Sequence, residues 1–558
     1  MKKYVSLVLF SLLSWAVCAK DFPKVILAGD YPDPTILRDG KDYYMTHSPF
    51  YYAPGFLIWH SQDLEHWEPV CRAMAQWEGS AMAPDLVKYN NRYYIYYPAA
   101  GTNWVIWADD IRGPWSAPKD LKVNGIDPGH VADADGKRYL YLSEGKIVQL
   151  SDDGLSTVGE VKKVYDGWPY PRNWRTEGMY LESPKLNYHN GYYYLTSAEG
   201  GTAGPGTSHM VVTARSKSVL GPWENSPFNP LVHTYSERES WWSRGHGTLI
   251  DDVNGNWWVV YHAYAKGYHT LGRQTLIEPI EWTPDGWCRA KSTGTFPKAE
   301  VPVRHGLKLS DDFQGAELGL QWTFWKEYAP KAATLENRTL RLKAKGKTPA
   351  DGRLLLATAE DKNYETQVEV TVGKNNTAGL LLYYSEKAYA GLVSDGKTFT
   401  VYRHAGQKTE LPNTLGRQFT VRIKNQGNHV SISVGKNEKE WTTLAEGIDV
   451  SGMHHNAYKG FYALRIGLVS IGKGEAAFRR FRYKNAVPQE KDLSAYLMVF
   501  HKDETHGLYM ALSRDGYTFT ALNDGEPVLA GDTIAYQRGI RDPYIYRGPD
   551  GAFYLAMT

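Results

Sequence analysis

Tyr31-Pro32-Asp33-Pro34-Thr35-Ile36-Leu37, followed by the turn Arg38-Asp39-Gly40-Lys41 and the aromatic pair Tyr43-Tyr44, decides the fold. Alone it reads as a β-hairpin: a short strand, a tight Asp-Gly turn and an aromatic-rich second strand. It then recurs with a different residue at its head. Ala83-Pro84 precedes Leu86-Val87, an Asn90-Asn91 turn and Tyr93-Tyr94, and Asp127-Pro128 precedes Val131, an Asp135-Gly136 turn and Tyr139-Leu140-Tyr141. Glu182-Ser183-Pro184 precedes Leu186, an Asn190-Gly191 turn and Tyr192-Tyr193-Tyr194, and His246-Gly247 precedes Leu249-Ile250, an Asn254-Gly255 turn and Trp257-Trp258.

Five copies at a spacing of roughly 45 to 60 residues predict a radial repeat, each copy a four-stranded blade. In a propeller the first strand of every blade lines the axis, so Asp33, Asp127, Glu182 and His246 are expected to face one another across a funnel. Carboxylates gathered in a shielded cavity raise each other's pKa, which makes this an expected active site. The bland reading of a single Asp-Pro is a capped turn; the coincidence of several blades overrides it.

The rest of the chain frames that funnel. A sequence of 558 residues exceeds one ordinary core. A formal charge of +2, from 63 basic and 61 acidic residues, argues against a nucleic-acid partner, which requires a basic face. The 40 Tyr and 19 Trp suit a β-rich protein with stacking surfaces. Met1-Lys2-Lys3 and the apolar run Val5 to Trp15 have the form of a signal peptide over 1–19, with cleavage after Ala19. The run is too short to span a bilayer. An exported protein is expected, with a lipid anchor on Cys18 the lesser alternative. Cys71 and Cys288 then remain, in repeats that become neighbours on ring closure; one bridge and two buried thiols are equally open.

The propeller is assigned to 20–303. Gly113-Pro114-Trp115 and Gly221-Pro222-Trp223 repeat one outer-strand motif, and Ala198-Glu199-Gly200-Gly201-Thr202 is expected to be a loop over the funnel. Period-two segments such as Tyr364 to Val370 and Phe419 to Ile423 assign 304–486 to a β-sandwich. Residues 487–558 read as a linker and the truncated start of a second propeller. Ser513-Arg514-Asp515-Gly516-Tyr517 repeats an outer edge, and Arg541-Asp542-Pro543-Tyr544-Ile545 with its Pro549-Asp550-Gly551 turn repeats the opening motif. A lone blade closes no ring, so the sequence reads as part of a longer polypeptide.

One protonated and one ionised carboxyl across a cavity suffice to cleave a glycosidic bond. Glu182 suits the acid, Asp33 the base that activates water, and Asp127 the third group that tunes Glu182. His246, in Arg244-Gly245-His246-Gly247-Thr248, is either a core imidazole or the axial ligand of a calcium ion held largely through water. Arg273 is placed evenly between a surface ion pair and substrate contact. No cofactor is required by this chemistry.

These motifs resemble glycoside hydrolase family 43, the inverting β-xylosidases, α-L-arabinofuranosidases and arabinanases built on five-bladed propellers. The resemblance rests on Tyr31-Pro32-Asp33-Pro34, Ile126-Asp127-Pro128, Leu181-Glu182-Ser183-Pro184-Lys185-Leu186 and Gly245-His246-Gly247-Thr248-Leu249. It implies Asp33 as general base, Asp127 as pKa modulator, Glu182 as general acid, His246 as the residue that helps hold calcium and Arg273 as a substrate contact. It also implies a concanavalin-like sandwich over 307–485, with a loop closing one side of the pocket. Met82-Ala83-Pro84 departs from the family's Trp-Ala-Pro, and Glu177 competes with Glu182 for the acid role or contacts substrate. The expected activity is removal of terminal α-L-arabinofuranosyl or β-D-xylosyl units from plant polysaccharides. The rivals are a carbohydrate-binding propeller without turnover and a retaining fructan or sucrose hydrolase, whose Asn-Asp-Pro-Asn segment is missing here.

Overall fold

A computed structural model describes residues 22–76, 78–301, 303–486, 495–513, 518–534, 536–548 and 552–558. The leader 1–19 with Cys18, the linker from 487 to 494, and the turns at Arg514 to Tyr517 and Pro549-Asp550-Gly551 lie outside the described residues. The structure is almost wholly β, and five antiparallel sheets correspond to the five repeats. Their innermost strands, Thr35–Asp39, Asp85–Tyr89, Gly129–Ala132, Glu182–His189 and Trp241–Asp251, pack one against the next around an axis. The ring closes by exchange: Lys24–Leu27, from the start of the chain, pairs with Gln274–Trp282 of the fifth blade.

The aromatic repeats fill the seams between blades. Tyr43, Trp59, Ile250, Trp258 and Ile277 are buried together where the fifth blade meets the first, and Phe56, Tyr93, Ile95 and Tyr97 where the first meets the second. Each fully buried Trp removes roughly 200 Å² from water, on the order of 5 kcal/mol before the entropy of ordering is subtracted. Two expectations change here. Ala198 and Glu199 belong to the strand Tyr192–Glu199, and the loop begins only at Gly200, because Glu199 still pairs with Met210. Cys71 and Cys288 form no bridge. They are free thiols in separate environments, with Cys71 Sγ 3.5 Å from the Ile111 carbonyl oxygen and Cys288 Sγ 3.9 Å from Thr213 Oγ1.

The sandwich is built from an eight-stranded and a seven-stranded sheet around one apolar core. It shares a sheet with the propeller, since Thr323–Trp325 pairs with Tyr52–Ala53 of the first blade. Arg465 of the sandwich reinforces the joint, reaching Asp30 Oδ2 at 3.1 Å with its guanidinium over the Tyr52 ring. Residues 486–558 form a separate compact unit. It holds a three-stranded sheet of Tyr496–His501, Leu508–Ser513 and Thr520–Ala521, and a hairpin of Tyr544–Arg547 with Phe553–Ala556. Among the described residues no helix is long and apolar enough to cross a membrane.

Candidate active site

The blade heads share an unusual backbone. Asp33, Ala83, Asp127, Ser183 and His246 all have φ between 36° and 56°, although four of them precede proline, which disfavours such a conformation, and His246 precedes Gly247. Asp542 in the separate unit repeats it, at 47°. Strain repeated at one position of every blade marks a surface that packing has forced toward a purpose.

This register corrects the sequence alignment at one blade. Asp39, Tyr89 and His189 end the first, second and fourth inner strands, and counting back six residues from each gives Asp33, Ala83 and Ser183. Glu182 therefore stands one residue ahead of the position that Asp33 and Asp127 occupy. Ser183 takes the left-handed conformation, and its N–H donates to Asp127 Oδ2 at 3.0 Å. A shift of one residue normally reverses a strand side chain. The irregular pairing between Glu182 and Lys185 absorbs it, and the Glu182 carboxyl still lies within the fields of Asp127 and Asp33.

Asp33 is 5 % exposed and densely held. Arg273 donates from Nη1 to Oδ1 at 2.7 Å and from Nη2 to Oδ2 at 3.4 Å, and Ser48 Oγ donates to Oδ2. Ser48 Oγ in turn accepts the Ala83 N–H at 2.5 Å, which ties the second blade to the first. The Asp33 N–H donates to His262 Nδ1 at 3.1 Å, so His262 carries its proton on Nε2, facing Thr202 Oγ1 at 3.2 Å. Burial alone would raise the Asp33 carboxyl, but Arg273, with His246 and His262 facing it, holds it well below the ordinary carboxylate range. Burial keeps both imidazoles far below their usual value, so Arg273 is the charge that acts at neutral pH.

Asp127 and Glu182 are driven the other way. Burial, then the Asp33 charge, pushes Asp127 up to about 7 against the opposing pull of Lys185 and the Ser183 N–H. Burial, then Asp127 and Asp33, raises Glu182 well above the ordinary glutamate value. The funnel thus holds one firmly ionised carboxylate and a pair that retains a proton at neutral pH.

A second layer lies two residues below the heads: Thr35, Asp85, Gly129, Lys185 and Thr248. The Lys185 ammonium, 3 % exposed, donates to Asp85 Oδ1 and the Pro84 carbonyl at 2.9 Å each, and to the Pro128 carbonyl at 3.2 Å. Thr248 Oγ1 closes the ring on the Pro34 carbonyl at 3.0 Å. Gly129 is required by proximity, since a Cβ there would sit 1.8 Å from the Pro184 oxygen. Gly245 is required likewise by the His209 ring, 1.9 Å from its would-be Cβ.

The other expected residues divide. Arg273 is buried on Asp33 rather than in a surface ion pair, with its guanidinium 5.7 Å from the centre of the Phe50 ring and 5.2 Å from that of Phe461. Phe461 comes from the sandwich, and its loop is anchored where Tyr264 Oη meets His455 Nδ1 at 2.8 Å. These two phenylalanines stack with ring centres 6.5 Å apart and form an aromatic wall beside Arg273, next to the second blade, where Phe50 pairs with Ala81. Glu177 is exposed on the rim, its Oε2 accepting the Ala203 N–H at 2.8 Å.

His246 is buried on the axis, Nδ1 3.5 Å from Asp33 Oδ1 and 3.8 Å from Asp127 Oδ2, with Nε2 unpartnered among the described residues. Asp33, His246 and His262 bring one ligand atom each within 4.8 Å of one another. That set does not suit direct calcium binding, which calls for six to eight oxygens. The one carboxylate is engaged by Arg273 and Ser48, and His262 Nδ1 by a backbone N–H. Only Nε2 of His246 is left, for a contact through water.

Ser48, His262 and Phe461 carry no motif that singled them out in the sequence, and Lys185 appears there only as part of the segment that carries Glu182. The one available signal was alternation: His262 lies in Tyr261-His262-Ala263-Tyr264, on a strand beside the funnel.

A propeller axis lined by one carboxylate held toward its ionised form and a carboxyl pair pushed toward protonation has the equipment to cleave a glycosidic bond. Comparison with known proteins agrees. The profile of Glycosyl hydrolases family 43 matches residues 22–288, that of the Beta xylosidase C-terminal Concanavalin A-like domain matches 310–484, and that of a Probable glycosyl hydrolase domain matches 491–558. The non-reducing end alpha-L-arabinofuranosidase BoGH43B of Bacteroides ovatus is 28% identical over 535 residues, covering 85% of this chain and 97% of its own. The xylan 1,3-beta-xylosidase of a Vibrio species is 30% identical over 430 residues, covering 65% of this chain and 77% of its own. The crystal structure of xylan beta-1,4-xylosidase from Bacillus halodurans superposes with a TM-score of 0.74 at 27% identity, over 83% of this chain and all of that one. The chain belongs to glycoside hydrolase family 43, and its substrate is a carbohydrate.

Proposed function

We propose that this glycosidase removes terminal α-L-arabinofuranosyl or β-D-xylosyl units from plant polysaccharides or their oligosaccharides, with inversion at the anomeric carbon. The observation that carries the reading is the contrast between Asp33, paired with Arg273, and Glu182, set among carboxylates, in one funnel. Asp33, kept ionised by Arg273, takes a proton from water as the water oxygen bonds to the anomeric carbon. Glu182 gives its proton to the glycosidic oxygen as the C–O bond on the other side breaks. Burial, with the neighbouring Asp127, keeps that proton on Glu182 at neutral pH, and the link from Asp127 to the Ser183 N–H fixes the strand that carries the acid. Arg273 and the two phenylalanine rings bound the pocket for the terminal sugar. The names of the relatives, arabinofuranosidase and β-xylosidases, support the choice of pentoses.

No step needs a metal; a calcium ion beyond His246 Nε2 would be held through water. The leader-like start supports an exported enzyme, and N-terminal sequencing of the mature protein tests that. The decisive experiment is a panel of aryl arabinofuranosides, xylosides and galactosides, with the released anomer followed by NMR. Release of the inverted pentose, abolished in Asp33→Asn and in Glu182→Gln, is expected. Retention of configuration, or normal turnover in either variant, overturns the mechanism.

A further inference from the structure

The fourth blade carries a second feature on the face where the funnel opens. Residues 164–181 lead into Glu182, and Glu182 pairs with Ala198, so the loop that follows Glu199 emerges at the same end. Residues 234–240 enter the fifth blade there too. Between these loops lies a groove of about 510 Å³, lined by Trp174, Arg175, His233, Tyr235, Glu237 and Arg238, among others.

Its floor is a built aromatic platform. The Trp174 and His233 rings stack with centroids 4.4 Å apart and planes 4° from parallel. Tyr235 stands edge-on to both, at 6.1 Å and 4.8 Å, and is 65% exposed. The platform is held from beneath. His233 Nε2 donates to the Thr207 carbonyl at 2.9 Å, and Glu239 accepts the Tyr235 and Ser236 N–H groups at 2.7 and 2.9 Å. Arg175 faces Glu237 at 3.6 Å, which leaves Arg238 as the single unbalanced charge of the lining. Exposed ring area among hydroxyl, amide and guanidinium groups suits a neutral sugar chain.

Its position follows from the division of labour in the funnel. The general acid must touch the oxygen of the leaving group, so the departing chain extends on the side of Glu182, away from Asp33 and the phenylalanine wall. That direction is the rim of the fourth blade, and Glu177 stands on the segment between Arg175 and Glu182. We propose that this groove binds the polysaccharide backbone from which the terminal pentose is cut, several sugars beyond the scissile bond. The proposal rests on the assignment of Glu182 as acid.

The test compares an aryl glycoside, which carries nothing into the groove, with soluble arabinoxylan, using the full chain. In Tyr235→Ala, and in Tyr235→Ala combined with Trp174→Ala, kcat/KM on arabinoxylan is expected to fall at least tenfold, mostly through KM. The aryl glycoside should stay within twofold of wild type. Equal effects on the two substrates, or none on arabinoxylan, overturn the proposal. Tyr235 is exposed, so its variant folds even where Trp174→Ala does not. Retardation in gels containing arabinoxylan reads the groove without turnover: wild type is retarded and Tyr235→Ala is not. Should wild type leave aryl glycosides untouched, the catalytic reading fails while this binding result still decides the groove.

Discussion

Lys185 of the fourth blade reaches Asp85 of the second across the propeller axis, Nζ to Oδ1 at 2.9 Å, directly below the acidic layer. Asp85 Oδ2 accepts the His130 N–H at 2.7 Å, so one buried ion pair fastens the heads of three blades. Removing one partner leaves the other buried and uncompensated, which costs about 3–5 kcal/mol. Lys185→Met is therefore expected to lower the midpoint of thermal unfolding by several degrees. It also removes a cation that opposes protonation of Asp127. The alkaline limb of kcat/KM should consequently move to higher pH, a change that loss of packing alone does not produce.

Arg273 and Asp33 set the other limb. Asp33 must be ionised to act, and Arg273 keeps it so at pH values where an ordinary aspartate takes up a proton. In Arg273→Met burial is left unopposed by a permanent charge, and the acid limb of kcat/KM is expected to move up in pH. At neutral pH kcat should fall at least a hundredfold, since positioned electrostatic groups contribute on that scale. An unmoved acid limb would show that Arg273 only contacts sugar.

Glu199 gives a stability prediction separate from catalysis. Its carboxyl is wholly buried, with Oε1 accepting the Trp168 N–H at 2.6 Å and Oε2 unpartnered, and burial pushes it up to about 8. The folded state then holds a proton that the unfolded chain releases near pH 4.5. The stabilisation is complete below about pH 4.5 and is lost as pH rises through about 8. Unfolding midpoints measured from pH 5 to 8 should fall for wild type and fall less for Glu199→Gln.

The fold was legible because its two signals are local: hairpin turns recurring with aromatic strands, and period-two alternation in the sandwich. The convergence of Asp33, Asp127 and His246 followed from radial geometry alone. Glu182 is legible as a blade-head carboxyl, but not its offset, because sequence spacing does not register the irregular pairing that lets it act from one residue ahead. Ser48, His262 and Phe461 were beyond reach, since each meets Asp33 or Arg273 through contacts 15 to 229 residues apart or across a domain joint. Arg273 stayed ambiguous because an arginine beside a strand looks the same whether its partner is solvent or a buried aspartate. The exchanged strand Lys24–Leu27 carried no signal, as a four-residue edge strand matches many partners.

The assignment of Glu182 rather than Glu177 as the acid is open to a direct discrimination by leaving group. A general acid matters in proportion to how badly the departing oxygen needs a proton. In Glu182→Gln, hydrolysis of an unactivated oligosaccharide should fall by a factor on the order of 10³ or more, while a 2,4-dinitrophenyl glycoside, whose phenolate leaves unaided, should lose roughly tenfold or less. Asp33→Asn must lose both substrates alike, because the attacking water needs its base whatever departs. Glu177→Gln, whose carboxyl is exposed and tied to the Ala203 N–H, should show no dependence on the leaving group. Steep leaving-group dependence in Glu177→Gln and none in Glu182→Gln would transfer the proton donor to the rim and leave the raised pKa of Glu182 without a catalytic purpose.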